Sequence, residues 1–207
     1  MNKKFLTLSA TAFAATLALA GCSGGADMPG MDHGTSAARS TGPTQSGSLA
    51  SGSATTSDHN AADTTFAQSM IPHHAQAVEM SELMLKKQGI PAAVTALATR
   101  IKAAQAPEIA TMTGWLNAWN EPSDAHSGHS MAGMMGADDL KALDAAQGSE
   151  AARLFLNQMI AHHEGALVMA RDEIASGQHS GAVDLGKAIV AAQETEIKEM
   201  KDILAAL

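Results

Sequence analysis

The chain repeats itself, and the repeat has the spacing of a helix. Phe66, Met70, Ile71, His73, His74, Ala77 and Met80 match Phe155, Met159, Ile160, His162, His163, Ala166 and Met169 at a constant offset of 89. Gln105, Glu108, Ile109 and Met112 match Gln193, Glu196, Ile197 and Met200 at an offset of 88. One residue of slippage is what a loop of variable length between two helices produces. In the first copy Phe66, Met70, His73, Ala77, Met80 and Met84 recur at alternating steps of four and three, which is one face of a helix. Gly89 and Pro91 supply the stop and turn. A second helix follows, with its seam at Val94, Ile101, Gln105, Glu108, Met112, Trp115 and Trp119. The second copy gives a helix from Phe155 to about Ser176, a turn over Gly177 to Gly181, and a last seam at Ile189, Gln193, Glu196, Met200, Ile203 and Leu207. A lone hairpin leaves its apolar stripe wet. Two copies are therefore expected to pair into an all-α four-helix bundle, within one chain or across a homodimer. Part of Ala137 to Ala152 adds a turn or lengthens the third helix.

Composition supports helices. With four Phe, two Trp and no Tyr, the core must rest on Ala, Leu, Ile, Val and Met. The first 21 residues are set apart: Lys3 and Lys4 precede an uncharged apolar run from Phe5 to Ala20, the layout of an export signal and short for a spanning helix. The run ends in Leu19-Ala20-Gly21-Cys22, which resembles the site cut by lipoprotein signal peptidase. By that resemblance Cys22 carries a lipid and anchors the chain to a membrane on the extracytoplasmic side, in the periplasm or at the cell surface. Cys22 is the only cysteine, so no intramolecular disulfide can form. Residues 22–60 are Gly, Ser, Thr, Ala and Pro with almost no large apolar side chain, and read as a flexible tether. The bundle is placed at 61–207, with hairpins at 61–120 and 138–207 and a Met/His-rich loop at 121–137. A formal charge of −8, more negative once Lys3 and Lys4 are gone, argues against nucleic acid and suits a domain that gathers cations.

Chemistry is expected where the pattern calls for apolar residues and finds polar ones. His73 and His74 straddle the seam between Met70 and Ala77, and His162 and His163 do so between Met159 and Ala166. Gln105, Glu108, Gln193 and Glu196 interrupt the facing seams. A buried carboxylate is expensive unless it is paired or coordinates a cation. Two His, one Glu and nearby Met per hairpin form a plausible ligand set: His73, His74, Glu108, Met70 and Met112 in one, His162, His163, Glu196, Met159 and Met200 in the other. Imidazole suits several transition metals and thioether selects soft Cu(I), so copper is favoured, with silver or zinc as alternatives. Seam methionines are also ordinary core filler. His126, His129, Met131, Met134 and Met135 lie in the loop, where there is no core to fill, and read as an auxiliary loading site or as a composition-biased linker. Glu79 and Glu164 occupy different repeat positions and read as solvated or supporting groups. The leading function is binding that sequesters or hands on copper. A di-iron enzyme would ask for Glu-x-x-His on two helices, and the chain contains none. A structural or partner-binding lipoprotein with filled cores is the third class.

The segments Met70-Ile71-Pro72-His73-His74-Ala75-Gln76-Ala77-Val78-Glu79-Met80 and Gln193-Glu194-Thr195-Glu196-Ile197-Lys198-Glu199-Met200 resemble the hallmark segments of the bacterial domain-of-unknown-function family 305, over about Thr65 to Leu207. The resemblance implies a ferritin-like helical bundle, export, an association with copper handling, and functional positions at the two His pairs, Gln105, Glu108, Gln193 and Glu196. One departure stands out. Pro107 lies beside Glu108 where the second copy has Thr195, and an interior proline removes a backbone hydrogen bond at a cost of about 3 kcal/mol. Displacement of Glu108, with a weaker first site, is the expectation. Pro72 is expected in the first turn of its helix.

Overall fold

A computed structural model describes residues 58–123 and 131–207. The export segment, Cys22, the tether up to residue 57, His126 and His129 lie outside the described residues; Asn60, expected at the end of the tether, instead caps the first helix. Five helices follow in order: α1 Ala61–Lys86, α2 Ala92–Trp119, α3 Ala137–Ala145, α4 Gly148–Ser176 and α5 Ser180–Ala206. α1 packs on α2, α4 on α5, and α1 on α4, so the two hairpins pair within one chain along their first helices. α1 and α4 run antiparallel, because Gly89 beyond the end of α1 lies against Gly148 at the start of α4. The result is the all-α four-helix bundle that the paired seams require. The stretch before α4 forms its own short helix, α3, which sinks Leu143 into the core. Lys87 Nζ donates to the carbonyls of Asp144 (2.7 Å) and Ala146 (3.0 Å) and satisfies the C-terminal end of α3.

α1 begins where its chemistry says it should. Asn60 Oδ1 accepts from the backbone N–H groups of Ala62 (2.8 Å) and Asp63 (3.1 Å), and Asp63 Oδ2 accepts from Asn60 N at 2.6 Å. This is a reciprocal cap that satisfies otherwise orphaned donors of the first turn. Asp63 also accepts from the N–H groups of Gln178 (3.1 Å) and His179 (2.9 Å), and Asn60 Nδ2 donates to the carbonyl of Ser176 (2.8 Å). The N-terminal turn of α1 thereby staples the turn between α4 and α5.

One of the two helical prolines sits differently from expectation. Pro72 is well inside α1, not in its first turn, and Pro107 is inside α2. Both helices continue through them. Pro107 and Ala103, whose carbonyl loses its usual N–H partner, are exposed, so water can serve that carbonyl. Pro72 and the corresponding Gln68 are half-exposed.

The interior is two apolar clusters. One holds Phe66, Met70, Met112, Leu116, Ala166 and Ile189, and the other holds Met80, Met84, Leu97, Ile101, Phe155, Met159 and Met200. Between them, on α1 from Met70 to Ala77 and on α4 from Met159 to Ala166, lie the two His pairs.

Candidate metal centre

Four imidazoles occupy the layer between the clusters. His73, His74 and His163 are 0 % exposed and His162 1 %. α1 and α4 cross here with His73 and His162 face to face: ring centroids 3.7 Å apart, planes tilted by 36°. Two imidazolium ions could not share such a contact. Burial holds both rings far below the usual imidazole range, His73 to about 3 with the neighbouring His74 adding to the effect, and His162 to about 2 with His73 adding to it. Both are therefore neutral at neutral pH.

The outer member of each pair is held by the partner helix. Glu108 Oε2 accepts from His74 Nε2 at 2.7 Å, and Glu196 Oε2 accepts from His163 Nε2 at 2.7 Å. A carboxylate accepts and does not donate, so each Nε2 carries the hydrogen, and in the neutral ring Nδ1 keeps the lone pair. His73 makes the same choice for another reason: its Nε2 faces the carbonyl of Ala132 at 3.3 Å. Nδ1 of His73, His74 and His163, both ring nitrogens of His162, and Oε1 of Gln105 and Gln193 are buried without a hydrogen-bond partner. These are most of the buried side-chain N and O atoms without partners among the described residues. Each such atom costs about 1–3 kcal/mol. Five of these atoms are ring nitrogens of one layer, and such a concentration fits a ligand site.

The thioethers flank this layer. Met70 and Met112 lie together in the apolar cluster on one side, Met159 and Met200 in the cluster on the other, all 0 % exposed. Among the described residues no three His, Cys, Asp or Glu side chains converge on one point. A cation held here would need a donor beyond that set, and thioether sulfur is the type that flanks the layer. Neutral imidazole lone pairs beside thioethers fit a soft monovalent ion; a structural zinc site would want four closed N, S or O ligands.

The structure thus brings together His73 with His162, His74 with Glu108, and His163 with Glu196. The expected displacement of Glu108 does not occur: its distance to His74 equals that of Glu196 to His163. The proline disturbs the solvent side of α2, while Glu108 faces α1. Glu79 and Glu164 are exposed, Glu164 lying 3.6 Å from Lys201. Trp115 and Trp119, at the end of the α2 seam, pack with His59 and His179 instead; His59 and Trp119 stack with ring centroids 4.4 Å apart.

Sequence reasoning missed a strap. Residues 131–136 cross α4 beside the His layer. Gln76 fixes them with both ends of its amide: Oε1 accepts from Met135 N at 2.7 Å and Nε2 donates to Met135 O at 2.9 Å. Gly133, at φ +80°, lies so close to α4 that a Cβ there would meet Ala161 O at 2.6 Å and His162 O at 2.9 Å. Gly165 has the carbonyl of Ala132 where its own Cβ would be. Also missed was a pair of buried carboxyls, Asp63 and Glu173. Burial pushes Asp63 up, but the N–H groups of Asn60 and His179, the neighbouring Glu173 and the N–H of Gln178 together outweigh it and leave it below its usual value. Burial, with Asp63 adding to it, raises Glu173 to about 8, so Glu173 is mostly protonated at neutral pH.

The DUF305 domain of unknown function matches residues 63–204. No curated protein matches the chain. Among solved structures, a DUF305 protein from Streptomyces coelicolor is 33% identical, with 70% of this chain and 91% of that chain covered and a TM-score of 0.67. A DUF305 fragment from Deinococcus radiodurans is 29% identical, covering 72% of this chain and 98% of that one, with a TM-score of 0.65. CopM in its Cu(I)-bound form is 33% identical over 70% of this chain and 96% of its own, with a TM-score of 0.60, and the same protein also has Cu(II)-bound and Ag-bound forms. A bundle built from these helices, matched over most of its length by that domain, places the chain in the DUF305 family.

Proposed function

We propose that the chain is an extracytoplasmic copper-binding protein, exported by residues 1–21 and held at a membrane by lipid on Cys22, that sequesters the ion or passes it on. The observation that carries this reading is the layer of buried, unpartnered ring nitrogens between four buried methionines. His73, His74 and His163 offer Nδ1 and His162 either ring nitrogen, with Met70, Met112, Met159 and Met200 as the thioether source on either side. Glu108 and Glu196 hold the second nitrogen of two of these rings, which fixes the tautomer and raises the basicity of the nitrogen left for the metal. Their charge also offsets that of a bound cation. The Cu(I)-, Cu(II)- and Ag-bound forms of CopM support the same choice of ions. Met131, Met134 and Met135, with His126 and His129, form an auxiliary route for loading.

The test is titration of the full-length protein with Cu(I), Ag(I), Cu(II) and Zn(II) against a competing chelator. A variant with all four histidines changed to Ala is run beside it, its helix content checked by circular dichroism. Tight binding of Cu(I) and Ag(I) that the folded variant loses is the expected result. Equal binding by both proteins, or by neither, would remove the His layer as the site.

A further inference from the structure

We propose that Gln76 is a positioning residue that latches Met131–Met135 across the His73–His162 pair, and that this strap is the gate through which the metal ion enters and leaves. The inference rests on the metal-binding reading and adds the route. Four independent features converge on the strap. Its Ala132 carbonyl takes the Nε2 hydrogen of His73 at 3.3 Å, so the strap touches the inner imidazole itself. Gln76 closes a two-bond amide clamp on Met135. Gly133 and Gly165 allow the backbone of the strap to lie directly on α4, at the turn of helix that carries His162. Beyond the clamp the chain is anchored: Asp139 Oδ2 accepts from Gly136 N at 3.0 Å, and the Asp139 carbonyl accepts from Gln158 Nε2 at 3.0 Å.

The repeat gives the sharpest pointer. Gln76 and Gly165 stand at equivalent places in the two copies, at the offset of 89 that relates the His pairs. Around the His pairs the copies agree: Met70 with Met159, His73 with His162, His74 with His163, Ala77 with Ala166; further along the same helices they differ at buried Ala67 with Leu156, Ser81 with Ala170 and Met84 with Glu173. They part also at Gln76 and Gly165, and both residues serve the strap, one by gripping it and the other by making room for it. Met135 packs against the apolar cluster, which leaves Met131 and Met134, half-buried on the strap, as the thioethers an incoming soft ion meets first.

Opening the strap breaks the Gln76 clamp, so its removal should raise the open population about tenfold, as expected for loss of one to two net hydrogen bonds. Two readouts on full-length protein test this: hydrogen exchange of residues 131–136 without metal, and stopped-flow uptake and release of Ag(I). Gln76→Ala is expected to speed exchange, uptake and release by about tenfold while equilibrium affinity moves less than about threefold. Gly165→Ala, which drives Ala132 off α4, is expected to act the same way, and Glu79→Ala, on the exposed side of α1, to change nothing. Unchanged exchange in Gln76→Ala overturns the latch. Faster exchange with unchanged uptake and release overturns the gate. Absence of Ag(I) binding in every variant and in the parent overturns the metal reading itself, which the exchange data distinguish from failure of the latch.

Discussion

Glu196→Ala removes one carboxylate from a bond whose other half has nowhere else to go. His163 is 0 % exposed and its Nε2–H has only Glu196 Oε2, at 2.7 Å. A hydrogen bond to a charged group contributes about 1.5–3 kcal/mol, and the orphaned donor adds the cost of its lost hydration. The Glu196 side chain is 17 % exposed, so water screens part of the charge and can enter the gap left by truncation. We therefore expect a loss of about 1–2 kcal/mol, or about 2–8 °C in Tm for a domain of this size. Glu196→Gln keeps an acceptor and should lose about half as much. Urea unfolding followed by circular dichroism measures the stability, and nitrogen-15 spectra of the histidines report the tautomer. In the parent His163 carries its hydrogen on Nε2; in Glu196→Ala both tautomers should be populated. Glu108→Ala should match Glu196→Ala within about 0.5 kcal/mol, because Pro107 leaves the Glu108 contact intact. Equal losses for Ala and Gln, or a tautomer unmoved by either, would refute the orienting role of the carboxylates.

The carboxyl pair at the start of α1 gives a prediction in pH. Glu173 is raised from 4.5 to about 8, so its contribution is fully present below about pH 4.5, declines as pH rises, and is gone above about 8. Glu173→Gln should be near neutral in stability at pH 5 and more stable than the parent at pH 9 by roughly 1–3 kcal/mol, read from urea midpoints. At the acid end the signs reverse: His73 and His162, lowered to about 3 and about 2, stabilise the fold above their ordinary value of 6.5 and lose that contribution as pH falls. Unfolding below pH 6 should therefore take up about two protons, and the slope of stability against pH counts them. Asp63→Ala strands the backbone N–H groups of Asn60, Gln178 and His179 and should cost about 2–4 kcal/mol by thermal unfolding. Met70→Leu with Met159→Leu is a volume-conserving exchange and should change stability by less than about 1.5 kcal/mol. The same double variant should weaken Ag(I) binding by tenfold or more if thioethers are ligands.

The sequence carried the bundle because its seams are periodic. Phe66, Met70, Ala77, Met80 and Met84 fall where spacing puts them, and so do Phe155, Met159 and Ala166. The buried His pairs were legible as polar residues at seam positions. What was not legible came from contacts between distant segments. Gln76 looks like one more polar residue between two apolar ones until Met135 lies across it, and Gly165 looks like a weak spot in a helix until Ala132 occupies its Cβ position. The difference between Gln76 and Gly165 at matched repeat positions was visible as a mismatch, with nothing local to interpret it. Asp63 and Glu173 stand far apart in the chain and meet only because α1 and α4 run antiparallel. The prolines misled for the opposite reason. Local rules place Pro72 at a helix start and make Pro107 disruptive, whereas packing on the inner face holds both helices through them at the cost of carbonyls that are exposed or half-exposed. The contacts of Glu108 and Glu196 also needed geometry: spacing put them near the His pairs, and the structure adds that each carboxylate lies 2.7 Å from the Nε2 of one buried ring.

X-ray absorption at the copper edge of the Cu(I)-loaded protein reads the site directly. Nitrogen scatterers from imidazole together with sulfur are expected, the sulfur diminished in Met70→Leu, Met159→Leu protein and the nitrogen lost when His73 and His162 are changed to Ala. A shell of oxygen or nitrogen alone, unchanged by either set of substitutions, would contradict this reading and place the bound ion outside the His layer.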